Sequence, residues 1–231
     1  MTALKTSLFV ALVVEEPLLR DSMATRITIC PGDQKLSEAA TTRRQSPQEG
    51  LDATAIAERI AAAISAGKAH VEPDFIFGST LEHARSAAEA MIRSRRTDCP
   101  AELMPVLGAI DSLRMALIAC TQRELLEQAE LQLLFYKAGG SYRRHCDDGP
   151  GISIGMNGRS VRRSLSILVY LTSDAWNSAV DGGSLRVFAP KGYQGPSVDI
   201  PPLPGTLVVF DSASIPRMPP GPPVPACEAL A

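Results

Sequence analysis

From Tyr136 to Asp148 the chain reads YKAGGSYRRHCDD, and the groups in it that can do chemistry are His145 and Asp147. Residues two apart on extended backbone project to the same face. If the chain stays extended past the Gly139-Gly140 turn, an imidazole nitrogen and a carboxylate oxygen therefore meet at one point. That pair supplies two ligands for a divalent first-row metal. A third ligand from another strand would complete the facial triad of a non-haem iron site, with three positions left open. Cys146, between the two, faces the other way and reads as structural. His-x-Asp is short enough to occur by chance, so the elements around it carry the argument.

Those elements change character along the chain. Residues 31–50 are polar without an apolar period and read as a linker or disordered lead-in. From Asp52, a candidate N-cap, Ile56, Ile60, Ala63 and Ile64 share one helical face, and the helix ends at Gly67. AHVEPDFIFG reads as a short strand. Ser79 or Thr80 can cap a second helix over LEHARSAAEAMIRSRR. A third helix, roughly 101–130, carries Leu107, Ile110, Leu113, Leu117 and Leu125 at helical spacing. Then the period shortens: LQLLFYK, SLSILVYL, SLRVF and TLVVF are short β-branched or aromatic runs between turn residues, the pattern of an antiparallel sandwich or barrel. Helices first and strands afterwards give an α+β chain in which helices buttress a β-core.

Composition narrows the function classes. At 231 residues, 45% of them hydrophobic, the chain can bury one substantial core. With 23 basic against 25 acidic residues, no global field recruits nucleic acid or an anionic membrane. The RR pairs at Arg43, Arg95, Arg143 and Arg162 read as solvated surface, except where they flank the His145 stretch. Cys30, Cys99, Cys120, Cys146 and Cys227 are odd in number and lack zinc-like spacing, so a reducing compartment is expected, cytoplasm or nucleus rather than the secretory route. Near the amino terminus SLFVALVV is too short to span a bilayer and reads as a strand-like or mobile leader.

The run YKAGGSYRRHCDD, then RSLSILVYL, Trp176, DGGSLRVF and VDIPPLPGTLVVFDSASIP, resembles the iron(II)- and 2-oxoglutarate-dependent dioxygenases, and among them the prolyl 4-hydroxylases of the hypoxia-factor type. The helix, strand and helix before it also look like that family's, so the likeness covers about Leu51 to Pro216. It implies a double-stranded β-helix (jelly roll), with a lead-in over 1–50, a dioxygenase domain over 51–216 (helical support 51–130, β-core 131–216) and a Pro-rich tail over 217–231. It implies His145 and Asp147 as iron ligands, and Tyr136, Tyr170 and Leu185 around 2-oxoglutarate. Arg163 would stand near the mouth. Fe(II), 2-oxoglutarate and ascorbate are the implied cofactors, and a prolyl residue of a protein or peptide and dioxygen the implied partners. Directed phenol donors in a narrow apolar pocket suit a dianionic cosubstrate on physical grounds alone. On residue type alone, Arg163 reads as a solvated charge, Trp176 and Gly182-Gly183 as packing and turn chemistry, and His70 and His83 as surface.

The pattern breaks at one residue. The family's third ligand is a histidine directly after the dipeptide that appears here as Ile215-Pro216, and this chain has Arg217. Arginine stays protonated and has no lone pair for a cation. The proline-rich RMPPGPPVPACEALA is also unsuited to the interior strand that closes the family's barrel and bears its basic cosubstrate clamp. Three readings follow: a prolyl-hydroxylating dioxygenase, a non-catalytic binding or regulatory relative, and a truncated or misread gene product.

Overall fold

The computed structural model describes residues 7–12, 24–29, 51–95, 97–123, 125, 131–136, 144–148, 153–154, 160–161, 163–190 and 196–218. Strands β1 (Ser7–Leu12) and β2 (Ala24–Ile29) come first, then α1 (Ala53–Ser65), β3 (His70–Glu72), α2 (Gly78–Ser94) and α3 (Met104–Thr121). The strands β4 (Leu131–Tyr136), β5 (Ser153–Ile154), β6 (Ser160–Val161) and β7 (Leu165–Tyr170) follow, then the single turn α4 (Ser178–Asp181). Strands β8 (Leu185–Val187), β9 (Val198–Ile200), β10 (Leu207–Asp211) and β11 (Arg217–Met218) complete the order.

Helix α1 begins where Asp52 Oδ1 accepts from the amides of Thr54 (3.1 Å) and Ala55 (3.0 Å), satisfying two of the orphan donors of its first turn. It buries Ile56, Ala57 and Ile60 against α3. Helix α2 starts before the Ser79/Thr80 caps expected for it; its N-cap is Phe77, without a side-chain hydrogen bond. Helix α3 stops at Thr121 instead of running on to 130. Gln122 takes a left-handed conformation (φ 55°) there, and Arg123 turns back to Asp211 (2.8 Å) and to Ser164. The Ala101–Thr121 stretch is long and apolar enough by length and composition to cross a membrane, but here Leu107, Ile110, Leu113 and Leu117 are core residues.

Among the described residues all strand pairings are antiparallel. The larger sheet has the order β2-β4-β1-β7-β10-β3, a three-stranded sheet has the order β11-β8-β9, and β5 pairs β6. The two-residue period of the strands splits the core. Leu131, Leu133, Ile167, Val169, Leu207 and Val209 pack with the helices. Their alternates Leu134, Tyr136, Leu168, Tyr170, Val208 and Phe210 pack with Leu185, Val187 and Ile200 of the smaller sheet. Burying side chains of this kind stabilises by about 1.5–3 kcal/mol each.

Two expectations need correction. The amino-terminal lead-in is not separate from the domain, because β1 is inserted between β4 and β7 and β2 covers the far side of β4. SLFVAL is a strand because its apolar run supplies the partner that β4 and β7 need on their facing edges; residues 31–50 lie outside the described residues. His70 is not a surface residue either. It lies on β3 opposite Val209, its side chain only 13% exposed, and its Nε2 stands 2.8 Å from Glu72 Oε2, a carboxylate also held by Arg59. His83 is exposed on α2.

One glycine fixes the approach of these layers. Gly205 has φ +69°, and a Cβ there would stand 1.8 Å from the Ile76 carbonyl oxygen. Its amide donates to Tyr170 O (2.8 Å) and its carbonyl accepts from Ile76 N (3.1 Å), so the turn into β10 fixes the end of β7 where Tyr170 sits.

Candidate functional site

The site lies on the inner face of the larger sheet, where the His145 segment meets β11. His145 N donates to Arg217 O (2.9 Å) and Arg217 N to His145 O (2.7 Å), an antiparallel bridge that sets the two residues side by side. On its other side Arg217 pairs with Val187 of β8. The residue at the expected third-ligand position thus reaches the site by an ordinary ladder, although Arg217–Met218 is the last described strand and residues 219–231 lie outside the description.

Asp147 is the centre of the arrangement and is 3% exposed. Its Oδ1 accepts from Arg217 Nη2 (2.7 Å) and Nε (2.9 Å), and His145 Nε2 stands 3.3 Å away. Its Oδ2 accepts from Ser166 Oγ (2.5 Å) and from Arg217 Nε (3.0 Å). Ser166 Oγ is also 2.9 Å from Ser212 Oγ, and Arg163 Nη1 donates to the Asp147 main-chain carbonyl. Burial alone would raise the carboxyl pKa; the charge of Arg217 and the hydrogen bonds from His145, Arg217 and Ser166 overcome it and hold the group well below the usual carboxylate range. Burial likewise opposes the charge on Arg217, and Asp147 outweighs it, with Tyr136 and Tyr170 adding in the same direction.

The remaining predicted site residues come to the same place. Tyr136 (6% exposed), Tyr170 (2%) and Leu185 (2%) belong to the inner cluster, with both phenols within electrostatic range of the Arg217 guanidinium. Burial pushes the Tyr170 phenol up, Arg217 pulls it back in part, and Tyr136 adds to the rise. Arg217 lies over the Phe210 ring at 5.6 Å. Arg163 is half-buried and tied to the site's backbone, so it is not a solvated charge. Trp176 N donates to Ser173 O (3.0 Å) in the turn before α4, and Gly182-Gly183, both at positive φ, follow α4.

Ser166 and Ser212 were not anticipated. Ser166 carried a signal: in SLSILVYL it shares the alternating register of Leu168 and Tyr170, so a hydroxyl faces the inner layer beside apolar neighbours, and a buried hydroxyl needs a partner. Ser212 carried none.

For the iron that the resemblance implies, these residues do not fit. Both Asp147 oxygens are occupied by donors, the third position is a guanidinium with no lone pair, and its positive charge sits where a divalent cation would have to go. Among the described residues no group of three or more His, Cys, Asp or Glu side chains converges.

Comparison with known proteins agrees with the architecture. Residues 131–219 match the family model described as the 2OG-Fe(II) oxygenase superfamily. A prolyl-4-hydroxylase from Pseudomonas putida superposes with a TM-score of 0.60 at 20% identity, over 72% of this chain and 91% of that one. A Trichoplax adhaerens prolyl hydroxylase, solved with a hypoxia inducible factor oxygen degradation domain peptide fragment, superposes with a TM-score of 0.61 at 17% identity, over 77% of this chain and 90% of that one. No curated protein matches the sequence. Over residues 131–219 the chain is similar to the 2OG-Fe(II) oxygenase superfamily, and its fold is similar to that of the two prolyl hydroxylases.

Proposed function

We propose that this chain is a non-hydroxylating member of the 2OG-Fe(II) oxygenase superfamily, a binding module in which the Arg217 guanidinium stands where the family has its metal. The observation that carries the reading is the fork of Arg217 on Asp147, with both side chains almost fully buried (6% and 2% exposed). The guanidinium forked on both oxygens of that carboxylate has to leave before a divalent cation can sit there, because its charge repels the ion. Breaking a buried pair of this kind costs about 3–5 kcal/mol. We read the two facing sheets as the family's jelly roll, with the amino-terminal strands as part of the same unit. The odd number of cysteines, without zinc-like spacing, supports a reducing compartment, cytoplasm or nucleus.

The competing reading is prolyl hydroxylation of a peptide with Fe(II), 2-oxoglutarate, dioxygen and ascorbate. The Trichoplax relative with its peptide and the adjacency of His145, Asp147 and both tyrosines favour it. Purified protein supplied with Fe(II), 2-oxoglutarate and ascorbate decides between the two. The module reading expects carbon dioxide release no higher than in a His145→Ala control, and iron-dependent turnover above that control overturns it.

A further inference from the structure

Helix α2 has two working sides. Leu81, Ala84, Ala88 and Met91 pack into the helix-side core. Beside them the helix and the segment 98–102 wall a cavity of about 390 Å³, a volume within the range of small-ligand sites. Ala87, Ala90, Met91 and Pro100 give it an apolar wall. His83, Ser86, Asp98 and Glu102 give it a polar one, and among the described residues no lysine or arginine lines it. The side chains of His83, Ser86 and Glu102 make no hydrogen bond or ion pair with other described residues, so their capacity is unspent inside the protein. The cavity belongs to the helical side of the larger sheet, whereas Tyr136 and Tyr170 belong to the inner one.

We propose that this cavity binds a guanidinium or ammonium group carried on a short apolar chain. Two carboxylates, a neutral imidazole and a hydroxyl offer lone pairs, and guanidinium and ammonium groups are donors that accept nothing. Asp98 and Glu102 are exposed, so an ion pair with either is screened and contributes little alone. The apolar wall supplies the rest by covering the ligand's chain. An acid of the same chain length meets like charge on that rim instead. The inference goes beyond the reading of Arg217 and does not depend on it.

Amide chemical shifts of the isotope-labelled full chain test it, at about pH 8 so that His83 is neutral. The probes are butylguanidine, a capped Ala-Ala-Arg-Ala-Ala peptide, and pentanoate as the acid of matching length. Saturable shifts over α2 and residues 98–102 are expected, with a Kd on the order of 1 mM. Binding of butylguanidine assigns the site to a free small cation, and binding of the peptide alone assigns it to a side chain of a partner protein. Glu102→Gln should weaken binding about two- to fivefold, the scale of one exposed ion pair. Ala90→Leu keeps a good helix former on an exposed position and fills the cavity, and should weaken binding at least about tenfold. No saturable shift from either cation at about 20 mM overturns the proposal. Pentanoate binding as tightly as butylguanidine, or undiminished binding by Glu102→Gln or by a folded Ala90→Leu, also overturns it.

Discussion

Replacing Arg217 by histidine puts the reasoning about the site under most strain, because one substitution should exchange a protein-borne cation for a metal site. In the wild-type chain the guanidinium makes contacts of 2.7, 2.9 and 3.0 Å to Asp147, and neither side chain is appreciably exposed. Removing one member of a buried pair costs about 3–5 kcal/mol. In a chain of this size each kcal/mol moves Tm by about 2–4 °C, so Arg217→His in EDTA should melt roughly 6–20 °C lower. The variant would then have His145, Asp147 and a second imidazole on adjacent strands, the donor set of a non-haem iron triad. Metal at about 100 times its Kd should return about 2.7 kcal/mol to the variant, a recovery of roughly 5–11 °C. Differential scanning fluorimetry of both proteins in EDTA and in Mn(II) reads this directly. The reasoning is refuted if Mn(II) stabilises the wild-type chain as much as the variant, or if the folded variant gains nothing.

Three further outcomes follow from the same contacts. Asp147 has its pKa depressed in the fold, so its contribution to stability is present above its unfolded value, near 3.8, and is lost as pH falls below it. Urea midpoints measured from pH 7 to pH 3 should drop steeply for the wild type below about pH 4 and more shallowly for Asp147→Asn. Ser166→Ala deletes a hydrogen bond to a buried carboxylate and should cost about 1.5–3 kcal/mol in chemical denaturation, with the fold's circular dichroism retained. Gly205→Ala meets both a positive φ and the Ile76 carbonyl at 1.8 Å, and should lose more than about 3 kcal/mol or fail to accumulate as folded protein, whereas Gly78→Ala, at φ +58° with open space around it, should lose about 1 kcal/mol.

The strands around the site were legible because their chemistry is local. LQLLFYK, SLSILVYL and TLVVF alternate so that one set of side chains faces the helices and the other the inner layer, and the period alone places Tyr136 and Tyr170 with Ser166's neighbours. The break at Arg217 was legible as a residue type that cannot coordinate. Its destination was not, because the fork on Asp147 depends on a ladder joining residues seventy apart in the chain, and no local pattern encodes that register. The same holds for β1. SLFVAL has the look of a strand, yet its place between β4 and β7 depends on partners more than a hundred residues away. The length of α3 was overread because Leu125 keeps the helical spacing, while the turn at Gln122 is held by Arg123 reaching Asp211 in another layer.

The central claim is that an arginine side chain holds the position the family gives to iron. A crystal of the full chain grown anaerobically with excess Mn(II) and measured at the manganese edge tests it most directly. The account predicts no anomalous peak within coordination distance of Asp147, and the guanidinium still forked on its carboxylate. A manganese peak bound by His145 and Asp147, with Arg217 swung away, would contradict it.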